Sequence, residues 1–289
     1  MKPYISVIIP CLNEEHYLPK LLHDLNYQSI TNFEVIVIDG NSDDKTVQVA
    51  QQFKSNYPIE VFTTNVRNVS YQRNLGAKKS HGKVLVFFDA DTRLPKKYLY
   101  HISKIFRKKH PHFLTTYIKV DSKKPSEKLF AVLSNLIFEI GKVFKVPCSY
   151  GAMQAVKRGA FFDVGGYDVK TKFGEDTQLF IELNRYNYQF LMLKKPCYIY
   201  SLRRFKTEGV LKQLIEYIQL NLNIILKGYH VPLKVKYQME GGGNYNIDQI
   251  KNTNYPKIFN PIFSKLSQKI KKSNKDFQIV IDKIFSSKD

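Results

Sequence analysis

The sequence predicts an α/β protein with a mostly parallel central β-sheet and helices on both faces of that sheet. Runs of β-branched and aromatic residues at positions 5–10, Phe33–Asp39 and Val84–Phe88 are typical of strands buried on both faces. Segments with helical spacing of apolar residues separate these runs, and this alternation favours a parallel sheet. Each run also ends in polar residues. Because parallel strands end along one edge of a sheet, where ligands bind, those residues are expected to meet there.

Local signals set the bounds of the first elements. The first strand ends at Pro10, which has no N–H to donate to a neighbouring strand. A leucine-faced helix follows, in which Pro19 is tolerated only in the first turn. A second helix begins near Thr46, after polar residues that can cap it. A third, short strand at residues 59–62 precedes a helix that stops at Gly82.

The next hundred residues are less regular. A basic helix follows Pro95, and Phe113–Val120 alternates like a strand. Residues 128–144 form an apolar helical stretch that suits packing on the protein or on a membrane surface better than a membrane span. Residues 149–156 form a loop entering a strand, an amphipathic helix follows residue 176, and two short strands are predicted at residues 188–193 and 197–200.

The last eighty residues predict a basic, helical extension. Residues 208–228 carry a wide apolar helical face, and the glycines at 241–243 are the clearest linker signal. Residues 261–272 and 277–285 form two further amphipathic segments, of which the first is basic. Such segments suit docking on an anionic membrane face, while packing against the preceding domain is an equally good interpretation of residues 208–227.

The charge balance indicates an anionic partner. The chain of 289 residues has 45 Lys and Arg against 25 Asp and Glu, a net charge of +20. Nucleic acid, an anionic membrane face and phosphorylated substrates all fit this excess, and so does a solvated basic surface without a dedicated partner. The positive charge is spread along the chain rather than interleaved with aromatic residues, which disfavours nucleic acid.

Cysteine usage and hydropathy bear on the compartment. Cys11, Cys148 and Cys197 are too few and too scattered for a disulfide framework or a zinc site, and they fit a reducing compartment. The N-terminus shows no apolar signal-peptide region, and the chain lacks an uncharged apolar stretch of about 18 residues. We therefore expect a cytoplasmic protein, with peripheral association at the cytoplasmic membrane face as an option.

The clearest chemical signal is the pair Asp89 and Asp91, which directly follows the strand Val84–Phe88. Residues at i and i+2 share one side of an extended chain, so the two carboxylates can converge. Mg²⁺ and Mn²⁺ prefer oxygen ligands and commonly use one or two carboxylates, with waters and substrate phosphates completing the shell. The pair therefore predicts a metal and phosphate site, although capping of the next loop would also explain it.

Taken together, the polar segments resemble family 2 glycosyltransferases, which have the GT-A fold. The segments that carry the resemblance span residues 4–205 and occur in the family's order: the first-strand loop 10–14, the second-strand segment 38–46, the helix 72–77, the DxD motif 89–91, the acceptor-side segment 162–167 and the ED motif 174–176. The resemblance implies a GT-A catalytic domain over residues 1–206. Its donor half would cover about 1–120 and its acceptor half about 121–206, with the extension at 207–289.

The resemblance also implies roles for individual residues. Asp89 and Asp91 would bind a divalent Mn or Mg ion, and Asp176, with Glu175 beside it, would supply the catalytic base for direct displacement with inversion. The donor would be a nucleotide-diphosphate sugar, contacted by Pro10, Leu12, Glu14, Asp39, Arg73, Asp89, Ala90, Asp91, Arg203 and Arg204. Without the resemblance, Glu175 and Asp176 also fit an N-cap pair on a solvated helix, and Asp39 a turn.

The resemblance implies transfer of a sugar to another sugar or to a polyprenyl phosphate, and no nucleic-acid partner is expected. An alternative enzyme class with a parallel sheet and a carboxylate-bound metal is the sugar-nucleotide nucleotidyltransferases. Such an enzyme should have a glycine-rich loop after the first strand, and residues 10–15 contain no glycine. A basic nucleic-acid-binding protein is the third hypothesis.

Overall fold

The computed structural model describes residues 2–143, 145–149, 151–171 and 174–203. Within them lie seven strands, β1 Ile5–Cys11, β2 Phe33–Asp39, β3 Ile59–Thr63, β4 Val84–Phe88, β5 Phe113–Val120, β6 Met153–Lys157 and β7 Phe190–Tyr200. The helices of this part of the chain are α1 Leu18–Asn26, α2 Thr46–Gln52, α3 Val69–Lys79, α4 Tyr98–Lys109, α5 Pro125–Val143, α6 Arg158–Asp163 and α7 Glu175–Arg185. The extension predicted at 207–289, the basic residue Arg204 and the glycine linker lie outside the described residues.

The seven strands form one sheet in the order β3-β2-β1-β4-β6-β5-β7. β1 to β4 pair in parallel, β6 runs antiparallel to both of its neighbours, and β7 is parallel to β5. The predicted mostly parallel sheet is therefore confirmed. In register, Cys11 lies opposite Asp39, so the carboxyl ends of β1 and β2 are direct neighbours. The predicted end of the first strand at Pro10 is one residue too early, because β1 continues to Cys11. Pro10 lies beyond Ile8, the last residue of β1 that pairs with β4.

The two strands predicted at 188–193 and 197–200 are a single strand, β7. The sequence suggested a break because Pro196 interrupts the run, but β7 lies at the edge of the sheet, where a residue without an N–H is tolerated. The Lys195–Pro196 peptide is cis, and the pairing of β7 with β5 shifts register between Thr116 and Ile118. The prediction of two strands was therefore wrong, although its outer limits were nearly right.

The core that supports the site lies between one face of the sheet and the helices α3, α6 and α7, which cover that face. Aromatic rings fill it, with Phe87 of β4 packed at 5.3 Å from Phe161 and 5.2 Å from Tyr167, measured between ring centroids. Helix α3 approaches the sheet closely because Gly76 has no side chain. A Cβ atom there would lie 2.5 Å from Cγ2 of Ile8. In the described part of the chain, no helix is long and apolar enough to cross a membrane.

We predict that Gly76→Ala lowers the free energy of unfolding by about 1–3 kcal/mol, because the added methyl group overlaps Ile8 and overpacks the core. Gly159→Ala in α6 is the matched control, since a Cβ atom there meets nothing within 4 Å and alanine favours the helix. Urea unfolding of both variants measures the difference. Equal stability of the two variants would contradict the close approach of α3 to β1.

Candidate active site

The carboxyl ends of β1 and β2 are tied together by the side chain of Gln72 from α3. Its Nε2 atom donates to the carbonyl oxygens of Cys11 at 2.7 Å and of Ile38 at 2.8 Å. The Cys11 carbonyl oxygen also accepts from the backbone N–H of Gly40 at 2.8 Å, which joins the ends of the two strands a second time. The loop to Glu14 follows this fixed edge of the sheet. The backbone N–H of Glu14 donates to Thr46 Oγ1 at 2.7 Å.

Asp39 ends β2 and is 1% exposed. One carboxylate oxygen accepts from the backbone N–H of Ser42 at 2.8 Å, and the other accepts from the Ser42 hydroxyl. In this arrangement Asp39 shapes the turn after β2, as the simpler interpretation of the sequence had it. Its contact with a nucleotide stays a prediction.

Asp89 and Asp91 lie in the turn after β4 and meet different arginines. Oδ1 of Asp89 accepts from Nη2 of Arg73 at 2.9 Å, while Oδ2 of Asp91 lies 2.9 Å from Nε of Arg203. The Asp89 side chain is 38% exposed and that of Asp91 is 16% exposed. Ala90 between them is buried. Burial raises the pKa of Asp91 above its usual value, although the nearby Arg203 guanidinium opposes the rise.

Arg203 joins Asp91 to Glu14. Its Nη1 donates to Oε2 of Glu14 at 2.7 Å, its Nη2 bonds to the other oxygen of the same carboxylate, and its guanidinium lies 4.3 Å from the ring centre of Tyr17. Burial raises the pKa of Glu14 to about 7 despite this ion pair. The basic residue predicted after the last strand therefore reaches back across 189 positions to the first loop.

Arg73 is the second buried guanidinium, with 2% of its side chain exposed. Nη1 donates to Oε1 of Glu175 at 2.8 Å, and Nη2 contacts Asp89 and, at 3.3 Å, the carbonyl oxygen of Gly151. The structure places Arg73 beneath the cleft, between the DxD turn and the ED motif, rather than on an open surface. Its role as a nucleotide contact stays a prediction.

Asp176 lies in the first turn of α7, directly after Glu175. Its burial, together with the neighbouring Glu175 carboxylate, raises the pKa of Asp176 to about 7, and Arg73 opposes this rise. The start of a helix favours a carboxylate, but here burial and the like charge outweigh it. Gly151 leaves the space around this group open, because a Cβ atom there would lie 2.9 Å from Nη2 of Arg73 and 3.6 Å from Oδ2 of Asp176.

Sequence reasoning assigned no role to three residues that build the site, namely Gln72, Gln154 and Tyr167, although Gln72 and Tyr167 lie in segments that carry the resemblance. Gln154 is an amide in a strand that is otherwise Met, Ala, Val and Lys, and its side chain is fully buried. A polar residue inside an apolar run is a signal that could have singled it out. The predicted donor contacts Pro10 and Leu12 lie in β1 and in the loop after it, and any contact with a donor stays a prediction.

The side chains at the DxD turn could coordinate a hard divalent cation, because they are carboxylates. Oδ2 of Asp89 accepts no hydrogen bond from the residues that the structure describes. In the same residues, the group of three or more metal-ligating side chains is instead Glu34, Glu60 and His81, near the amino ends of β2 and β3. Glu34 already accepts from Ser6 Oγ and from the His81 backbone N–H, both at 2.6 Å, and so ties α3 to β1 and β2.

Residues 6–165 match the family model described as Glycosyl transferase family 2. The chain belongs to this family. A curated relative within it is a dolichyl N-acetyl-α-D-glucosaminyl phosphate 3-β-D-2,3-diacetamido-2,3-dideoxy-β-D-glucuronosyltransferase of Methanococcus voltae. It is 25% identical over 254 residues, which are 78% of this chain and 75% of the relative. The poly(ribitol-phosphate) β-N-acetylglucosaminyltransferase TarS of Staphylococcus aureus is 34% identical over 98 residues, 32% of this chain and 17% of TarS.

Solved structures of glycosyltransferases share the fold. S. aureus TarS 1–349 superposes with a TM-score of 0.56 at 20% identity, covering 77% of this chain and 66% of that one. The mannosyltransferase PcManGT from Pyrobaculum calidifontis, solved with GDP-Man and Mn²⁺, has a TM-score of 0.59 at 17% identity, covering 76% of this chain and 65% of that one. The predicted GT-A fold and the glycosyltransferase class are confirmed, which decides against the nucleotidyltransferase and nucleic-acid-binding hypotheses.

We predict that Arg203→Gln destabilises the protein by about 3 kcal/mol at pH 8, because it leaves the Glu14 and Asp91 carboxylates buried without a cation. Without Arg203 the pKa values of both acids rise further above their unfolded values. The folded state then binds protons that the unfolded state does not, so the variant regains stability as the pH falls from 8 to 6.

Arg67→Gln is the control, since Arg67 is half-exposed and pairs with the exposed Asp43 on the surface. Thermal unfolding of both variants against pH measures the effect. A loss for Arg203→Gln that did not depend on pH would contradict the buried ion-pair cluster.

Proposed function

We propose that this enzyme transfers a sugar, with inversion, from a nucleotide-diphosphate donor to a hydroxyl group, assisted by a divalent cation held at Asp89 and Asp91. The observation that carries the proposal is that Arg73 contacts both the DxD turn and the ED motif. One of its nitrogens contacts Asp89 of the DxD turn and the other contacts Glu175 of the ED motif, so one side chain brings the two motifs together. Relatives solved with UDP-GlcNAc or with GDP-Man and Mn²⁺ support the donor class and the metal.

Asp89 and Asp91 are the residues that would hold Mn²⁺ or Mg²⁺. When bound, such an ion offsets the charge that develops on the leaving diphosphate. Arg203 lies beside Asp91 and offers guanidinium N–H groups suited to phosphate oxygens. Glu14 holds this guanidinium from the other side and so sets where its nitrogens lie.

Asp176 would accept the proton of the acceptor hydroxyl. A base works best when its pKa lies near the working pH, and the raised pKa of about 7 places Asp176 there. Gly151 leaves room for the acceptor oxygen next to this carboxylate. A phosphate monoester is already ionised near pH 7 and needs no base, so the arrangement favours a hydroxyl acceptor over a polyprenyl phosphate.

The hydroxyl can belong to a sugar that is itself carried on a lipid phosphate, as the name of the Methanococcus voltae relative indicates for that protein. Peripheral association with an anionic membrane face stays a prediction, because the amphipathic segments that suggest it lie outside the described residues.

Donor binding is the first test. We expect one family of nucleotide sugars, UDP-linked or GDP-linked, to raise Tm in the presence of Mn²⁺, since a ligand that binds the native state stabilises it. At a donor concentration 100 times Kd, the gain is about 2.7 kcal/mol. Asp91→Asn should lose the Mn²⁺-dependent part of the shift, while Asp121→Asn, an exposed acid after β5, should keep it. The same shift with and without Mn²⁺ in the wild type would overturn the metal role.

The second test concerns the base. We predict that Asp176→Asn lowers kcat at least 100-fold with little change in donor Kd, because general base catalysis contributes about 10²–10⁴-fold. Glu182→Gln on the exposed face of the same helix is the control and should keep wild-type kcat. Nucleoside diphosphate release measures both. Transfer to a phosphate acceptor that survives in Asp176→Asn would show that the acceptor is the phosphate and not the hydroxyl.

A further inference from the structure

Gln154 holds the backbone of the proposed base from the neighbouring strand. Its side chain is fully buried in β6, and its Nε2 atom donates to the carbonyl oxygen of Asp176 and to Oγ of Ser149, both at 2.8 Å. Its Oε1 atom accepts from the hydroxyl of Tyr167 at 2.6 Å. A buried amide is costly unless its donors and acceptor are bonded, so these contacts fix the side chain in one orientation.

Tyr167 is fixed in turn by α3. Its backbone N–H donates to Oδ1 of Asn74 at 2.9 Å, and its carbonyl oxygen accepts from Nδ2 of the same residue at 2.7 Å. The ring packs edge-on against Phe87 and lies 5.1 Å from the guanidinium of Arg73. Burial raises the pKa of Tyr167, which keeps the hydroxyl protonated and able to donate.

The first turn of α7 needs such support from outside. The helix follows Gly174, which has φ of +76° and no side chain with which to cap the helix. Among the described residues, the Gln154 side-chain amide holds this turn from another element, by donating to the carbonyl oxygen of Asp176. The position of a base matters because a displacement of about 1 Å at a reacting group can cost 100-fold in rate.

We propose that Gln154 and Tyr167 are positioning residues that act as a unit to fix Asp176 relative to the DxD turn. The inference rests on the proposed role of Asp176. The chain Asn74–Tyr167–Gln154–Asp176 starts on α3, the helix whose Arg73 contacts Asp89. The same helix therefore sets the position of the base and of the metal ligand, and neither Gln154 nor Tyr167 needs to touch a substrate.

Tyr167→Phe tests the inference with the loss of a single oxygen atom. The ring, its packing and its contact with Arg73 remain, while Oε1 of Gln154 loses its donor. The matched control is Tyr57→Phe, which also removes a buried hydroxyl hydrogen bond, 3.0 Å from the Leu22 carbonyl oxygen and away from the cleft. Nucleoside diphosphate release from UDP-GlcNAc or GDP-mannose, whichever raises the wild-type Tm, supplies kcat and KM.

We expect the two variants to lose similar amounts of Tm, and only Tyr167→Phe to lose kcat, by about tenfold at an unchanged donor KM. Gln154→Met is the second variant. If the two residues act as a unit, the double variant should lose no more kcat than the worse single one. Equal kcat in Tyr167→Phe and Tyr57→Phe, or additive losses in the double variant, would overturn the proposal.

Asp176→Asn, assayed in parallel, separates this inference from the proposed function. If Asp176→Asn loses activity while Tyr167→Phe keeps it, the positioning role alone is wrong. If Asp176→Asn keeps activity, the assignment of the base is wrong and the positioning role is overturned with it. If Tyr167→Phe does not fold, the kcat and donor KM of Gln154→Met decide in the same way.

Discussion

The buried guanidinium of Arg73 is the constraint on which the site depends. A charge removed from water is costly unless other groups compensate it, and Arg73 meets its carboxylate partners on two separate segments, at Asp89 and Glu175. Those segments lie 86 positions apart in sequence, and the Arg73 side chain contacts both of them. Gly151 fits this arrangement because only a residue without a side chain leaves the guanidinium in place.

A second guanidinium joins two further carboxylates in the same way. Arg203 joins Glu14 to Asp91 as Arg73 joins Glu175 to Asp89. Even so, the described site has more carboxylates than guanidinium groups, in a chain whose net charge is +20. A cluster of carboxylates in a basic protein favours a cation locally, while the positive net charge favours the approach of an anionic ligand such as the proposed donor. Burial, reinforced by the neighbouring carboxylates, raises the pKa values of Glu14 and Asp176.

The sequence was sufficient to predict the features that depend on residues adjacent in the chain. The run Val84–Phe88 followed by Asp89 and Asp91 is visible without a structure, because both the strand and the acids are contiguous. The position of Arg73 was not accessible, because an arginine in a helix gives no sign of whether it is buried. Gln154 could have been noticed as a polar residue in an apolar run, but its partners and those of Tyr167 could not be read from the sequence. Their bonds join β6, α7 and the segment before α7, and no local pattern reports that closure.

The two arginines also differ in how much freedom they leave to their carboxylates. Arg203 contacts both oxygens of Glu14 and reaches Asp91 through its third nitrogen, so each of its three nitrogens has a carboxylate partner. Arg73 takes one oxygen of Asp89 and leaves the other without a hydrogen bond among the described residues, on a side chain that is partly exposed. Under the proposed function, Asp89 would bind a cation while it still contacts Arg73. Cation binding there would leave the contact between Arg73 and Glu175 intact, so a donor could bind and leave while the proposed base stays in position.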